Sequence, residues 1–138
     1  METSFFLIKP DAVRNGYVKK IIEFLEKRGF KVLARETRVL SRRDIMFLYP
    51  MHIKEVFFNN IVAFMDSGPS EILMVQRDSA TEILNRLVGV TDPQNNSENT
   101  LRYRFGTDLR HNAVHSPNSE ASAAREILYF FPKWQRDV

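Results

Sequence analysis

Thr3-Ser4-Phe5-Phe6-Leu7-Ile8-Lys9-Pro10-Asp11 is the stretch from which the fold of this chain is best read. A short, nearly continuous apolar run from Thr3 to Ile8 predicts a buried strand, and Lys9-Pro10-Asp11 ends it in a turn. Lys9 is thereby placed at a strand end, where ligand-binding groups are common. Everything after the turn has to pack around that strand.

From Tyr17 the residues Val18, Ile21, Ile22 and Leu25 share one helical face, with Lys27 and Arg28 in the last turn and Gly29 as the stop. Phe30, Val32 and Ala34 then alternate with Lys31, Leu33 and Arg35 toward Val39-Leu40, a half-exposed strand. Ser41 with Asp44 marks the start of a helix through Ile45, Leu48 and Tyr49 that Pro50 ends. Phe57, Ile61, Phe64 and Met65 form another helical stripe, closed by Ser67-Gly68-Pro69, and Ile72 to Val75 is a third buried strand. Ser79-Ala80-Thr81-Glu82 has the form of a capping box, leading a helix of Ile83, Leu84, Leu87 and Val88 that stops at Gly89. Thr91 to Thr100 is polar and aperiodic, as a functional loop would be. An extended segment at Ala113-Val114 reaches His115, and Ala124, Ile127, Leu128 and Phe131 mark a last helix from Ser119 to Pro132. The order predicts an α+β fold: a ferredoxin-like βαββαβ sandwich, an antiparallel four-stranded sheet with helices packed on one face, formed as a single domain over 1–138.

Composition excludes several classes. The chain has 138 residues, 43% of them hydrophobic, which suffices for one core. With no cysteine there is neither a disulfide nor a thiolate metal site, in keeping with a cytoplasmic protein. The start, Met1-Glu2-Thr3-Ser4, has no basic segment before its short apolar run, so neither a signal peptide nor a membrane span is expected. A net charge of +3 suits small anionic ligands and falls short of a nucleic-acid-binding composition.

No Gly-x-x-x-x-Gly-Lys-Ser/Thr and no Gly-x-Gly-x-x-Gly occurs, so side chains would have to hold any phosphate. Lys9, Arg102 and Arg86, with the hydroxyls of Tyr49 and Thr91, are the candidates. Of the histidines, His52 lies in a polar linker, His111 beside Arg110, and His115 before the last helix, within reach of Glu126. A neutral imidazole so placed suggests a covalent phosphoryl carrier. No pair of histidines has metal-ligand spacing on a helix. In Phe57-Phe58 one ring must point away from the face that buries the other, and an exposed ring could stack on a base.

Taken together, these segments resemble the nucleoside diphosphate kinase family over nearly the whole chain. The likeness lies in Ile8-Lys9-Pro10-Asp11-Ala12-Val13, in Phe57-Phe58 followed by Phe64-Met65-Asp66-Ser67-Gly68-Pro69, in Gly89-Val90-Thr91-Asp92-Pro93, Thr100-Leu101-Arg102, Asn112-Ala113-Val114-His115 and Ser122-Ala123-Ala124-Arg125-Glu126-Ile127. The resemblance implies a ping-pong exchange between nucleoside triphosphates and diphosphates through phosphohistidine at His115. It also implies that Glu126 orients the imidazole and that Tyr49 and Lys9 lie near the transferred group. Arg102 and Thr91 would contact the terminal phosphates with a Mg²⁺ held mainly by the nucleotide, Lys9 and Asn112 the ribose, and Phe57 and Leu109 the base. A homo-oligomer is implied, with hexamer as the guess and tetramer or dimer as alternatives.

The chain also departs from the family. Asn85, beside Arg86, and His111 stand where the family usually has arginine, and Ser116-Pro117-Asn118-Ser119 replaces Gly-Ser-Asp-Ser. Asn85 and Arg86 both count as nucleotide-side candidates, although neighbours on a helix are about 100° apart. A lost charge-assisted contact to the transition state costs on the order of 2–4 kcal/mol, a slowing of roughly 30- to 1,000-fold. The expectation is an active enzyme whose turnover these departures can lower. Two alternatives compete: a nucleotide-binding or scaffolding relative with lapsed activity, and an RRM-like RNA-binding module. The second is suggested by Arg28-Gly29-Phe30-Lys31-Val32 and Phe5-Phe6-Leu7-Ile8, but the first of these is on the wrong strand for it.

Overall fold

In the computed structural model, which describes residues 1–108 and 111–134, β1 (Glu2–Ile8) is buried from Thr3 onward. Its side chains alternate between two cores. Phe6 and Ile8 pack with Ile21, Leu25, Leu73 and Leu84, and Phe5 and Leu7 with Ile45, Met65, Ile72 and Phe130. A strand covered on both faces has no solvated side and so reads as an unbroken apolar run. The expectation of helices on one face is therefore corrected: they cover both. Truncating a core ring such as Phe5, which is fully buried, to alanine would cost about 3–5 kcal/mol.

The remaining elements follow in the order α1 (Pro10–Arg14), α2 (Val18–Glu26), β2 (Lys31–Arg38), α3 (Arg42–Leu48), a 3₁₀ turn at Pro50–His52, and α4 (Phe58–Met65). After them come β3 (Ser70–Arg77), α5 (Ala80–Val88), a 3₁₀ turn at Pro93–Asn95, α6 (Leu101–Phe105), β4 (Val114–His115) and α7 (Glu120–Phe130). The four-stranded sheet has the order β2-β3-β1-β4, with every adjacent pair antiparallel. This is the ferredoxin-like α+β arrangement. Central β1 pairs with β3 along its whole length, and β4 pairs with its end at Leu7↔His115 and Ile8↔Val114. That register sets His115 beside the strand that delivers Lys9.

Several local readings change. Pro10 opens helix α1 rather than only a turn, its missing N–H costing nothing at a first helical position. Helix α6, begun by Thr100, lies where no helical period was visible. Ser41 and Asp44 form the reciprocal cap expected of them, whereas Ser79 does not: it sits at φ 53° and makes no side-chain cap. The carboxylate of Glu2 on β1 accepts from the Thr81 N–H at 2.7 Å instead. On α7 the buried positions are Ala123, Glu126, Ile127 and Phe130, and Leu128 is exposed, so the apolar stripe is rotated from the expected one. Phe5, Phe6 and Phe30 are all buried, so the aromatics that suggested an RNA-binding module do not present exposed rings for stacking on bases.

Gly89 turns the chain from α5 into the 91–100 loop. Its φ is +86°, and a Cβ there would lie 1.9 Å from Asn96 Oδ1. That oxygen accepts from the Val90 N–H at 2.8 Å, while the Asn96 amide donates to the carbonyls of Val90 and Asp92. One side chain thus supplies the ladder that the loop lacks.

Candidate active site

At the end of β1 a cavity of about 350 Å³ is lined by Lys9, Tyr49, His52, Phe57, Ile61, Met65, Thr91, Arg102, Asn112 and His115. Lys9 and His115 come from strand ends, Tyr49 and His52 from the end of α3 and the turn after it, Thr91 from the 91–100 loop and Arg102 from α6, while α4 brings the apolar wall.

His115 enters from β4. Its Nε2 lies 2.7 Å from Glu126 Oε1, and Glu126 is buried on the inner face of α7, which Ser119 caps. An ionised carboxylate accepts only, so Nε2 carries the proton and Nδ1 keeps its lone pair. The ring is fixed from its sides by Tyr49, with centroids 5.8 Å apart, and by Phe5 at 6.3 Å.

Lys9 is held by Asn112, whose Oδ1 accepts from Nζ at 2.8 Å; the Asn112 amide donates to the Thr91 carbonyl at 3.3 Å. Burial, and then the nearby charge of Arg102, pushes the Lys9 ammonium down to about 7, against the opposing pull of Asp11. Arg102 donates to the carbonyls of Gly89 and Val114, and burial lowers its pKa as well. Burial pushes the Tyr49 phenol up, so it stays a neutral donor. The Tyr49 hydroxyl and Arg102 Nε are both buried without a partner among the described residues. Buried polar groups are rarely left so, and these two line a cavity whose charged side chains are cations.

The donor set fits an anion. Among the described residues no cluster of His, Asp or Glu is arranged to hold a metal ion, and the lining groups are ammonium, guanidinium, hydroxyl, amide and imidazole. They suit phosphate oxygens, not a protein-held cation.

Lys9, Tyr49, Phe57, Thr91, Arg102 and Asn112 all meet His115 around this one space. Asn85 and Arg86, the other two nucleotide-side candidates, are not among the residues that line it. Asn85 accepts from the Ser116 hydroxyl at 3.1 Å, and Arg86 turns outward to pair with Glu82, with 69% of its side chain exposed. The helical rotation between neighbours separates them, and neither reaches the cavity. His111 stands against Asp108, 3.0 Å from its carboxylate, and edge-on to Phe64. Leu109 lies outside the described residues. Phe57 faces the cavity while Phe58 is in the core.

His52, Ile61 and Met65 also line the space without having been assigned to it. Ile61 and Met65 follow Phe57 at successive helical turns, so the stripe that reads as core is partly cavity wall. His52 is one turn from Tyr49, and its ring lies 5.4 Å from that of Phe57.

Residues 2–135 match the family model for nucleoside diphosphate kinase. The nucleoside diphosphate kinase of Lawsonia intracellularis is 38% identical over 136 residues, covering 99% of each chain. That of Thermobifida fusca is 37% identical over 132 residues, 96% of this chain and 98% of the relative. Among solved structures, the apo enzyme of Encephalitozoon cuniculi superposes with a TM-score of 0.94 at 28% identity, covering 100% of this chain and 94% of the other. The Halobacterium salinarum enzyme in complex with CDP does so at 0.90 and 31% identity, covering 99% and 94%. This chain belongs to the nucleoside diphosphate kinase family.

Proposed function

We propose that this chain is a nucleoside diphosphate kinase that moves the γ-phosphoryl group of a nucleoside triphosphate to a nucleoside diphosphate through Nδ1 of His115. The observation that carries the reading is the His115–Glu126 bond of 2.7 Å, which holds the proton on Nε2 and directs the Nδ1 lone pair to the reaction. In the first half, Nδ1 attacks the γ-phosphorus; the N–P bond forms as the bond to the β,γ-bridging oxygen breaks, and its electron pair leaves with the diphosphate. The imidazole becomes positive, and Glu126 balances that charge through the Nε2 proton. The second half is the reverse, with the acceptor's terminal oxygen attacking the phosphohistidine.

Phosphoryl transfer asks the protein for position and positive charge more than for covalent work. Arg102, Lys9, Thr91 and the Tyr49 hydroxyl supply donors to the phosphates. A divalent cation, Mg²⁺ in this reading, enters with the nucleotide as part of the substrate. Asn112 and Lys9 meet the ribose, and the base lies on Phe57, with Leu109 assigned to it by resemblance alone. A ring face selects poorly among bases, which supports broad base tolerance.

With Asn85 turned to Ser116 and His111 engaged by Asp108, the phosphates have fewer cations around them than two arginines would give, so turnover is lowered rather than lost. The lapsed and RNA-binding alternatives are not favoured. The enzyme acts as one domain over 1–138, in the cytoplasm, as a homo-oligomer, a hexamer by resemblance. Among the described residues no helix is long and apolar enough to cross a membrane. Initial rates with both nucleotides varied should give parallel double-reciprocal lines; intersecting lines would mean direct transfer in a ternary complex and overturn the carrier mechanism.

A further inference from the structure

We propose that the cleft between α2 and α6 is a second anion site, apart from the cavity around His115, and that it takes a short phosphate chain. The cleft encloses about 390 Å³ and is lined by Lys20, Lys27, Arg28 and Arg104 against a single carboxylate, Glu23, with Phe24 among its walls. Among the described residues none of the four cations forms an ion pair, although the surface pairs Arg35, Arg38 and Arg86 with acids elsewhere.

The two arginines are held in place rather than solvated at random. Arg28 donates through Nη1 to the Phe24 carbonyl at 3.0 Å, and its guanidinium lies 3.5 Å from the centre of the Phe24 ring. Arg104, from the other wall, donates through Nε to the Glu98 carbonyl at 3.1 Å and lies 5.3 Å from the same ring. Each bond uses one donor and leaves the rest of the fork free, which is the arrangement that receives phosphate oxygens without first ordering a side chain. Closing the C-terminal end of α2 explains Arg28, but not Arg104, which comes from a different helix, nor Lys20, a turn and more upstream.

The same geometry selects the ligand. Two guanidiniums already lie against Phe24, and Phe105 meets the Tyr17 ring at a tilt, with centroids 5.2 Å apart. With its rings already engaged by guanidiniums and by Tyr17, the cleft is poorly suited to the base stacking that single-stranded nucleic acid uses. What it offers is positive charge over a short span, suited to linked phosphates whether inorganic or at the end of a nucleotide.

Calorimetric titration of the full chain with inorganic tripolyphosphate in metal-free buffer tests this. Two binding steps per chain are expected. Arg102→Ala should weaken one, and Arg104→Glu should weaken the other by about tenfold or more, the scale of one charge-assisted contact. Arg28→Ala, on the opposite wall and away from the helix that carries Arg102, should weaken that same second step and leave transferase activity unchanged. The second step should have similar affinity for tripolyphosphate and for ATP, since only the phosphates are read. A single step abolished by Arg102→Ala, or a second step indifferent to both Arg104→Glu and Arg28→Ala, would overturn the proposal. A second step seen with ATP alone, or one far tighter for a single-stranded oligonucleotide, would also overturn it, by assigning the cleft to a different ligand.

Discussion

His115 and Glu126 meet with Nε2 and Oε1 2.7 Å apart, one at the edge of the sheet on β4 and the other on the buried face of α7. The carboxylate has one task that geometry makes visible, which is to decide which imidazole nitrogen is free. Glu126→Gln should keep the contact and lose the charge that balances the phosphorylated ring. A fall in kcat of roughly 10- to 100-fold is expected, the weight of one hydrogen bond to a charged group. Single-turnover phosphorylation of the enzyme measures it; an unchanged rate would remove Glu126 from the mechanism.

Lys9 gives the site a pH dependence of known sign. With its ammonium held down to about 7 by burial, the free enzyme loses this charge as pH rises through that value, and kcat/KM, which reports free-enzyme groups, should fall there. Stability should move the other way. From about pH 7 up to its ordinary value of 10.5, the unfolded chain keeps a proton that the folded chain has released, so stability climbs with pH across that window. In Lys9→Met both slopes should flatten, as read by a kcat/KM profile and by thermal unfolding over pH 6.5–9.

Asp11 braces the backbone two residues before the nucleophile. Ala113 is buried and holds a φ of 76°, a conformation costly to a residue with a Cβ by about 1–2 kcal/mol. Asp11 Oδ2 accepts its N–H at 3.2 Å, and the Ala113 carbonyl accepts from the Lys9 N–H at 2.7 Å. Ala113→Gly should relieve that strain while losing a buried methyl and gaining backbone entropy in the unfolded chain, so that stability changes by less than about 1 kcal/mol. Asp11→Ala should lower kcat more than it changes KM, and the added Ala113→Gly should restore part of the loss. No recovery in the double variant would separate Asp11 from the placement of His115.

Much of this was legible from residue pattern. Phe5 to Ile8 reads as buried because both faces are covered, and Ser41 with Asp44 reads as a cap because each side chain bonds to the other's backbone three residues away, although Asp44 also accepts from the distant Tyr129 hydroxyl. What escaped the pattern rests on contacts between distant segments. Ser79 has the residue type of a cap, but Glu2 from β1 takes its place, and no local rule reports a partner so far away. Helices α1 and α6 are single short turns of chain, too brief to show a period. Met65 and Ile61 belong to a stripe that packs inward, and only the assembled fold shows that part of it faces a cavity. Asn85 and Arg86 sit at the expected place in the sequence, but α5 turns one toward Ser116 and the other to solvent, which residue type alone does not report.

Phe57 should set affinity without setting base preference. Its ring lines the cavity beside His52, and loss of one stacking face is worth about 1–3 kcal/mol. Phe57→Ala should therefore raise KM roughly 5- to 100-fold for purine and pyrimidine nucleotides alike, with kcat less affected. A change confined to one base would show that edges, not faces, are read.

The central claim is that His115 carries the phosphoryl group. Protein incubated with γ-labelled ATP, separated from nucleotide and then given unlabelled GDP, tests it most directly. Acid-labile label on the protein, its transfer to GTP on the chase, and its absence in His115→Ala are the results predicted here. Label retained by His115→Ala, or label on the wild-type protein that GDP cannot remove, would contradict the account.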